Sequence, residues 1–302
     1  MRNDFMLVLR EYFQLDSSIY ILDADCARST KSINLKNLDP DRFINCGISE
    51  QNAIGIAVGL SRNNKKVFIN GFAAMIIPRG FDQIIQSASL PNIPITIIGH
   101  YSGFSASKEG APHHAIADIG MMSLLPNVNI FTPFDIYDMR NILRKVTVSK
   151  DLNYIRLSRN NNEFSLPIQL NNNVFIRQFY CESGDICIVS YGQILNECIK
   201  AITLYKGSNK VSLINIVSFH QYENYLQKLL RRFTKILIVE DHLERGGLYS
   251  MILLKTNIEK SKLHHICIKN YTETGDNNWL LAKYGMNAHS IVEVLENLEV
   301  IN

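Results

Sequence analysis

Arg42-Phe43-Ile44-Asn45-Cys46-Gly47-Ile48-Ser49-Glu50-Gln51-Asn52, continued by Ala53-Ile54-Gly55-Ile56-Ala57-Val58-Gly59-Leu60, decides how the whole chain is read. Arg42 to Cys46 forms an apolar strand, Gly47 supplies a turn, and the small-residue run Ala53 to Leu60 has the character of a helix. Glu50 falls where that helix begins. Acids are favoured there because the exposed N–H groups and the helix dipole attract negative charge, so a helix-start role is one reading of Glu50. The other is chemical, because open α/β sheets bind ligands just beyond the carboxyl ends of their strands.

The same unit recurs on both sides of this stretch. Asp4 to Gln14 has helical spacing, and Ile19-Tyr20-Ile21-Leu22 is a short buried strand ending at Asp23-Ala24-Asp25. Strand Lys66 to Ile69 precedes helix Ala73 to Ser89, and strand Ile95 to Ile98 precedes a long polar loop and a helix from about Ile116 to Leu125. Strand Val128 to Phe131 leads into helix Ile136 to Val148, and Tyr154 to Leu157 is a further strand. Such alternation means a parallel sheet with helices on both faces.

An Asn-rich stretch, Asn160 to Asn173, interrupts the pattern and reads as a boundary. A second series follows: strand Asp185 to Ser190, helix Ile194 to Tyr205, strand Val211 to Ile216, helix Tyr222 to Leu230, strand Lys235 to Val239, helix Leu248 to Ile258, strand His265 to Ile268 and a last helix near Ser290 to Leu298. The fold class predicted is α/β, with two domains, each a mostly parallel sheet flanked by helices. Residues 1–160 are the first domain, 161–183 a linker and 184–302 the second domain.

Composition narrows the class. The chain has 302 residues, 46% of them hydrophobic, with 31 basic against 28 acidic side chains and a formal charge of +3. So small an excess, with no basic block longer than Lys65-Lys66 or Arg231-Arg232, argues against nucleic acid as a partner. No apolar run nears the roughly 20 residues of a membrane span, and the start is amphipathic and lacks a signal-peptide core. The six cysteines include no Cys-x-x-Cys pair, which points to a reduced, cytoplasmic setting without a structural zinc site.

Chemistry-bearing residues collect after the strands of the first half. These are Asp23, Asp25 and Ser29; then Glu50; then Gly71 and Phe72; then His100, Tyr101, Glu109, His113 and His114; and finally Arg156 and Arg159. Asp241, His242 and Gly246-Gly247 are all that the second half offers. Structural readings stand beside these: Phe72 as a core aromatic, one of the paired histidines as a cap, Arg159 as closing a sheet edge. Arg156 and Arg159 at a strand end also suit an anion gripped by fork-shaped donors.

Ile44 to Asn52, Gly71-Phe72-Ala73-Ala74-Met75, Arg79-Gly80-Phe81-Asp82-Gln83-Ile84, Glu109-Gly110-Ala111-Pro112-His113-His114, Leu125-Pro126-Asn127 and Tyr154 to Arg159 resemble, in order and spacing, the pyrimidine-binding domain of transketolases. The second half, from Gly184-Asp185 through Val239-Glu240-Asp241-His242 to Gly246-Gly247, resembles the C-terminal domain of that family. The family's N-terminal domain, with its Gly-Asp-Gly motif, has no counterpart. The one echo, Thr274-Gly275-Asp276-Asn277-Asn278, lies in the other domain and is read as lacking the helix that should follow. The resemblance is to the C-terminal subunit of a split transketolase.

That resemblance implies thiamine diphosphate shared with a separately encoded N-terminal subunit, Mg²⁺ held by that subunit and no metal held here, and an α₂β₂ assembly. Glu50 matches the carboxylate that hydrogen-bonds N1′ of the aminopyrimidine and favours its imino tautomer, and Phe72 the aromatic stacked on that ring. Met75 stands where many relatives have a second aromatic, and Asp25 matches a structural acid near the cofactor. His113 matches a histidine near the reacting hydroxyls. Ser29, Arg159 and Arg2 match residues that hold the sugar phosphate. Tyr101 stands in place of a phosphate-contacting histidine, with His100 one position away, and Glu109 replaces the usual Asp that reads the donor's hydroxyl configuration. The activity implied is transfer of a two-carbon ketol unit from a ketose, read as phosphorylated, to an aldose, with no turnover by this chain alone. Alternatives on the same fold are a deoxyxylulose-phosphate synthase-like or a 2-oxoacid dehydrogenase β-like component, and outside enzymes a non-catalytic assembly subunit.

Overall fold

A computed structural model describes residues 1–160, 164–219 and 223–300. Residues 161–163 of the expected linker, Tyr222 of the expected helix and the last two residues lie outside it.

The first unit runs α1 (Arg2–Leu15), β1 (Ile19–Asp23), α2 (Ala27–Thr30), α3 (Ile33–Lys36), β2 (Phe43–Asn45), α4 (Glu50–Arg62), β3 (Lys66–Phe72), α5 (Ala73–Gln83), β4 (Thr96–His100), α6 (Asp118–Ser123), β5 (Val128–Phe131), α7 (Ile136–Val146) and β6 (Leu152–Leu157). Its six strands are all parallel, in the order β2-β1-β3-β4-β6-β5. The order reverses between β1 and β3, and such a switch point opens a crevice at the carboxyl ends of the strands. Register makes the ends level: Asp23 pairs with Asn45 and Asn70, Phe72 with His100, and His100 with Leu157. Residues that follow these strands are therefore brought to one edge, although they come from positions as far apart in sequence as Asp23 and Leu157.

The second unit runs β7 (Ile176–Phe179), β8 (Gly184–Ser190), α8 (Leu195–Leu204), β9 (Val211–Ile216), α9 (Glu223–Leu230), β10 (Phe233–Leu243), α10 (Leu248–Lys255), β11 (Leu263–Ile268), α11 (Asn277–Lys283) and α12 (Ala288–Val300). Its sheet has the order β11-β10-β8-β9-β7, with β7 antiparallel to β9 and the others parallel. Two sequence readings change here. Part of the stretch read as a linker forms β7, whose four residues are all buried and complete the sheet edge. The Thr274–Asn278 echo is followed by a helix after all, since the Asp276 carboxylate accepts the N–H of Trp279 and caps α11.

The units share a core. One apolar cluster runs from Leu22, Ile54 and Ile69 to Ile214, Ile236 and Ile252. Backbone bonds also cross the boundary, from Thr132 N to Val217 O (2.9 Å), Phe219 N to Ile130 O (3.1 Å) and Leu243 N to Ile116 O (2.8 Å). Arg156 adds a buried ionic tie. Its Nε lies 2.9 Å from Asp118 Oδ2 and an Nη 2.8 Å from Asp241 Oδ1, while the Tyr154 hydroxyl donates to the same Asp118 oxygen at 2.6 Å. The sequence reading offered Arg156 to an external anion. Its guanidinium is buried and already divided between two carboxylates, so it is a structural group.

Candidate active site

Glu50 is the first residue of α4, after Gly47 at φ +72° and the Ser49 hydroxyl donating to Cys46 O at 2.6 Å. The turn aims its backbone into the sheet edge, and the side chain is nearly buried. Oε1 accepts from Arg79 at 2.8 Å, and Oε2 has no hydrogen-bond partner among the described residues. Arg79 sits on α5 beside Gly80, where a Cβ would press on Ile54 at 3.2 Å. The glycine lets α4 and α5 approach, and that approach brings Arg79 to Glu50. Arg79 was quoted above without a role, because a pair 29 positions apart on different helices has no spacing signal.

A second group of side chains is linked contact by contact. An Arg2 Nη donates to the Ser29 carbonyl at 2.5 Å and to the Tyr101 hydroxyl at 2.9 Å. The guanidiniums of Arg2 and Arg159 lie 5.0 and 5.1 Å from the centre of the Tyr101 ring, within cation–π reach. Arg159 also pairs with Glu109 at 2.6 Å. Phe72, half-buried, meets Tyr101 edge-on with centroids 4.8 Å apart. Tyr101 is thus the hub joining Ser29, Arg2, Phe72, Arg159 and Glu109. It holds φ +61°, a left-handed conformation uncommon outside glycine, directly after β4. Arg2 and Arg159 line a cavity of about 490 Å³ whose far wall includes Asn196 and Asn277 of the second unit.

The remaining predicted residues are placed as follows. Met75 lies half-buried on the first turn of α5. Asp25 is exposed at φ +58°, with Oδ1 accepting from Asn45 Nδ2 at 3.0 Å. His113 lies in a short helical turn, and its Nδ1 is buried without a partner among the described residues. His100 is a correction. The structure does not bring it to the cleft, because its ring is fully buried with Nε2 2.9 Å from Asn70 Oδ1. Burial, with the charge of Arg2, pushes its pKa down to about 3, so the ring is neutral. Asp23, passed over as a site residue, is buried beneath the edge. Its carboxylate accepts from Cys26 N at 2.6 Å and Ser32 Oγ at 2.7 Å, shaping the turn that presents Ser29.

Among the described residues no group of three or more His, Cys, Asp and Glu side chains is placed to hold a metal ion. None of the described helices is long and apolar enough to cross a membrane.

A nearly buried carboxylate, a half-buried aromatic ring, a half-buried imidazole and two arginines thus stand along one sheet edge. Residues 1–163 match the family description "Transketolase, pyrimidine binding domain" and residues 178–291 "Transketolase, C-terminal domain". The chain belongs to the transketolase family. It is 26% identical over 306 residues to a Methanocaldococcus jannaschii protein provisionally named a transketolase C-terminal section, a match covering 99% of this chain and 96% of that one. It is 29% identical over 291 residues to human transketolase, covering 93% of this chain and 46% of the human protein. A solved structure described as a split-gene transketolase, an inactive β4 tetramer, is similar at a TM-score of 0.82 and 28% identity, covering 99% of this chain and 98% of that one. The chain therefore spans nearly all of a C-terminal section and about half of a single-chain transketolase.

Proposed function

We propose that this chain is the C-terminal component of a split transketolase that moves a two-carbon ketol unit from a phosphorylated ketose to an aldose. The observation that carries the reading is Glu50: a nearly buried carboxylate at the open sheet edge, held on one oxygen by Arg79 and free on the other. Thiamine diphosphate, when bound, supplies the electron sink for breaking and making the C–C bond. Glu50 Oε2 is suited to hold the proton shared with N1′ of its aminopyrimidine, and a poorly solvated setting strengthens that bond. Phe72 offers a face for the ring, and Met75 a softer wall beside it.

On the substrate side, Arg2 and Arg159 supply fork-shaped donors for a phosphate, and Ser29 lies beside Arg2. His113, a half-buried imidazole, is the group we assign to proton exchange with a sugar hydroxyl. Glu109 is the acidic neighbour that reads the sugar's hydroxyls. Asp25 supports the cofactor side through Asn45.

The diphosphate and its Mg²⁺ we assign to a separately encoded N-terminal subunit in an α₂β₂ assembly. The half-length match to human transketolase supports this, as does the split-gene relative, an inactive β4 tetramer. The test is to mix the purified chain with thiamine diphosphate, Mg²⁺ and a ketose phosphate, with and without the partner subunit. No turnover is expected without the partner and robust turnover with it; activity of the chain alone would overturn the assignment.

A further inference from the structure

The loop that carries Glu109 and His113 joins β4 to α6, and both units hold it. The first unit ties it through Arg159, which pairs with Glu109 at 2.6 Å and donates its N–H to Ser105 Oγ at 3.1 Å, and through Ser102 N to Leu157 O at 3.0 Å. Around Glu109 and His113 the backbone bonds only close single turns, Glu109 N to Ala106 O at 2.7 Å and His113 N to Gly110 O at 2.9 Å. Isolated turns of this kind have little stability of their own. Behind the loop runs the segment between β11 and α11 in the second unit, which holds the start of the Thr274–Asn278 echo. That segment touches the loop repeatedly. Thr272 Oγ1 lies 2.6 Å from His114 Nδ1, with both residues buried. The Gly275 N–H donates to Ser107 O at 3.3 Å. Thr274 Oγ1 occupies the space where a Cβ on Gly110 would stand, so the loop rests on it through a glycine. At the neighbouring strand end, Asn160 Nδ2 donates to Asn277 Oδ1 at 3.1 Å, next to Arg159.

We propose that Thr272 is a positioning residue for the substrate loop: acting through His114, with Thr274 as a rest beneath Gly110, it fixes the loop that presents Glu109 and His113 to the cleft. The second unit then serves as the jig for half of the substrate side. His114 is suited to the linking role, because burial lowers its pKa and favours the neutral imidazole. Its Nε2 is buried without a partner among the described residues, so the contact of Nδ1 with Thr272 Oγ1 is the bond that anchors the ring. Removing the Thr272 hydroxyl leaves a buried ring nitrogen without its partner, a cost the loop can escape only by opening.

The role given to His113 and Glu109 rests on the functional reading above, but the brace itself is testable on the full chain without turnover. Thr272→Val keeps the shape and removes the hydroxyl. Hydrogen exchange at the amides of Glu109 and His113 is expected to quicken about fivefold, with exchange in β8 to β10 unchanged. The ¹⁵N resonance of His114 Nδ1 should move, and Thr272→Ser should restore both signals. Thr274→Gly, at an exposed position, should loosen the same amides without touching His114. In the complex with the N-terminal subunit, Thr272→Val should raise KM for the sugar phosphate about fivefold while leaving kcat within about twofold, the pattern of a binding loop loosened in the free enzyme. Unchanged loop exchange, equal acceleration in the second sheet, or no rescue by serine would overturn the proposal. A wild-type complex without turnover overturns the functional reading and leaves the exchange result standing, so the two failures are distinguishable.

Discussion

The two sheets end in edges of similar chemistry and opposite use. At the carboxyl end of the second sheet stand Tyr191, Glu240, Asp241 and His242, all buried. Glu240 accepts from Leu248 N at 2.7 Å, Tyr249 N at 3.0 Å, the Tyr191 hydroxyl at 3.2 Å and His265 at 2.8 Å. Burial alone would raise its pKa, but the hydrogen bond from His265 and the nearby imidazoles outweigh that and leave it below the ordinary glutamate value. Asp241 is paired with Arg156, and His242 Nε2 accepts the N–H of Gly120 at 3.1 Å. The groups in this set therefore all have protein partners. At the first sheet's edge, Glu50 keeps one oxygen without a partner among the described residues, and the rings of His113 and Phe72 are only half-buried. Acid, imidazole and aromatic groups at strand ends do not by themselves make a site; the difference lies in which of them the fold leaves unspent.

The largest expected effect follows from removing the unspent acid. Glu50→Ala, in the chain assembled with its N-terminal subunit, should lower ketol-transfer turnover by at least about 100-fold, the scale of a lost proton-handling group. Stability should fall by under about 1 kcal/mol, since its one partner, Arg79, is half-exposed. Near-normal turnover, with assembly confirmed by light scattering, would remove Glu50 from the mechanism and erase the distinction between the edges.

The spent acid should behave in the opposite way. Glu240→Ala strips an acceptor from two N–H groups at the start of α10, a tyrosine hydroxyl and a histidine, so urea unfolding should show a loss of roughly 3 kcal/mol. Turnover of the fraction that remains folded should change by less than about threefold. A stable Glu240→Ala chain would mean that the second edge is less committed to structure than its bonds suggest.

Much of this contrast was legible before the structure. The alternation of strands and helices around Gly47 and Glu50 gave the parallel sheet, and strand ends gave the side of the molecule on which Glu50, Phe72, Tyr101 and Arg159 lie. What could not be read was pairing. Arg156 and Arg159 are three positions apart at one strand end, yet the first is taken by Asp118 of the first unit and Asp241 of the second, and the second reaches the cleft; tertiary packing separates them. β7 was hidden in the expected linker, just past the Asn-rich run, because a four-residue antiparallel edge strand has no helix to announce it. Arg79 and Thr272 were invisible as site residues for the same reason: each acts across a contact far from it in sequence.

His100 tests the comparison from within, because it sits at the open edge yet is as enclosed as any group at the closed one. Its pKa is depressed from 6.5 to about 3, first by burial and then by Arg2. The unfolded chain therefore binds a proton between about pH 6.5 and 3 that the folded chain refuses, so stability is complete above about 6.5 and is lost as pH falls. At pH 5 the loss from this one group should be about 2 kcal/mol relative to pH 8, or 1.36 kcal/mol for each of the roughly 1.5 units below the ordinary value. Since pH 5 lies well above about 3, that figure depends little on how deep the depression runs. His100→Asn keeps an amide to meet Asn70 and cannot titrate. The difference in unfolding free energy between pH 8 and pH 5 should shrink by about 2 kcal/mol in this variant, measured by urea titration at both pH values. An unchanged difference would mean that the imidazole accepts a proton in the folded chain, and His100 would then belong with the available groups of the open edge.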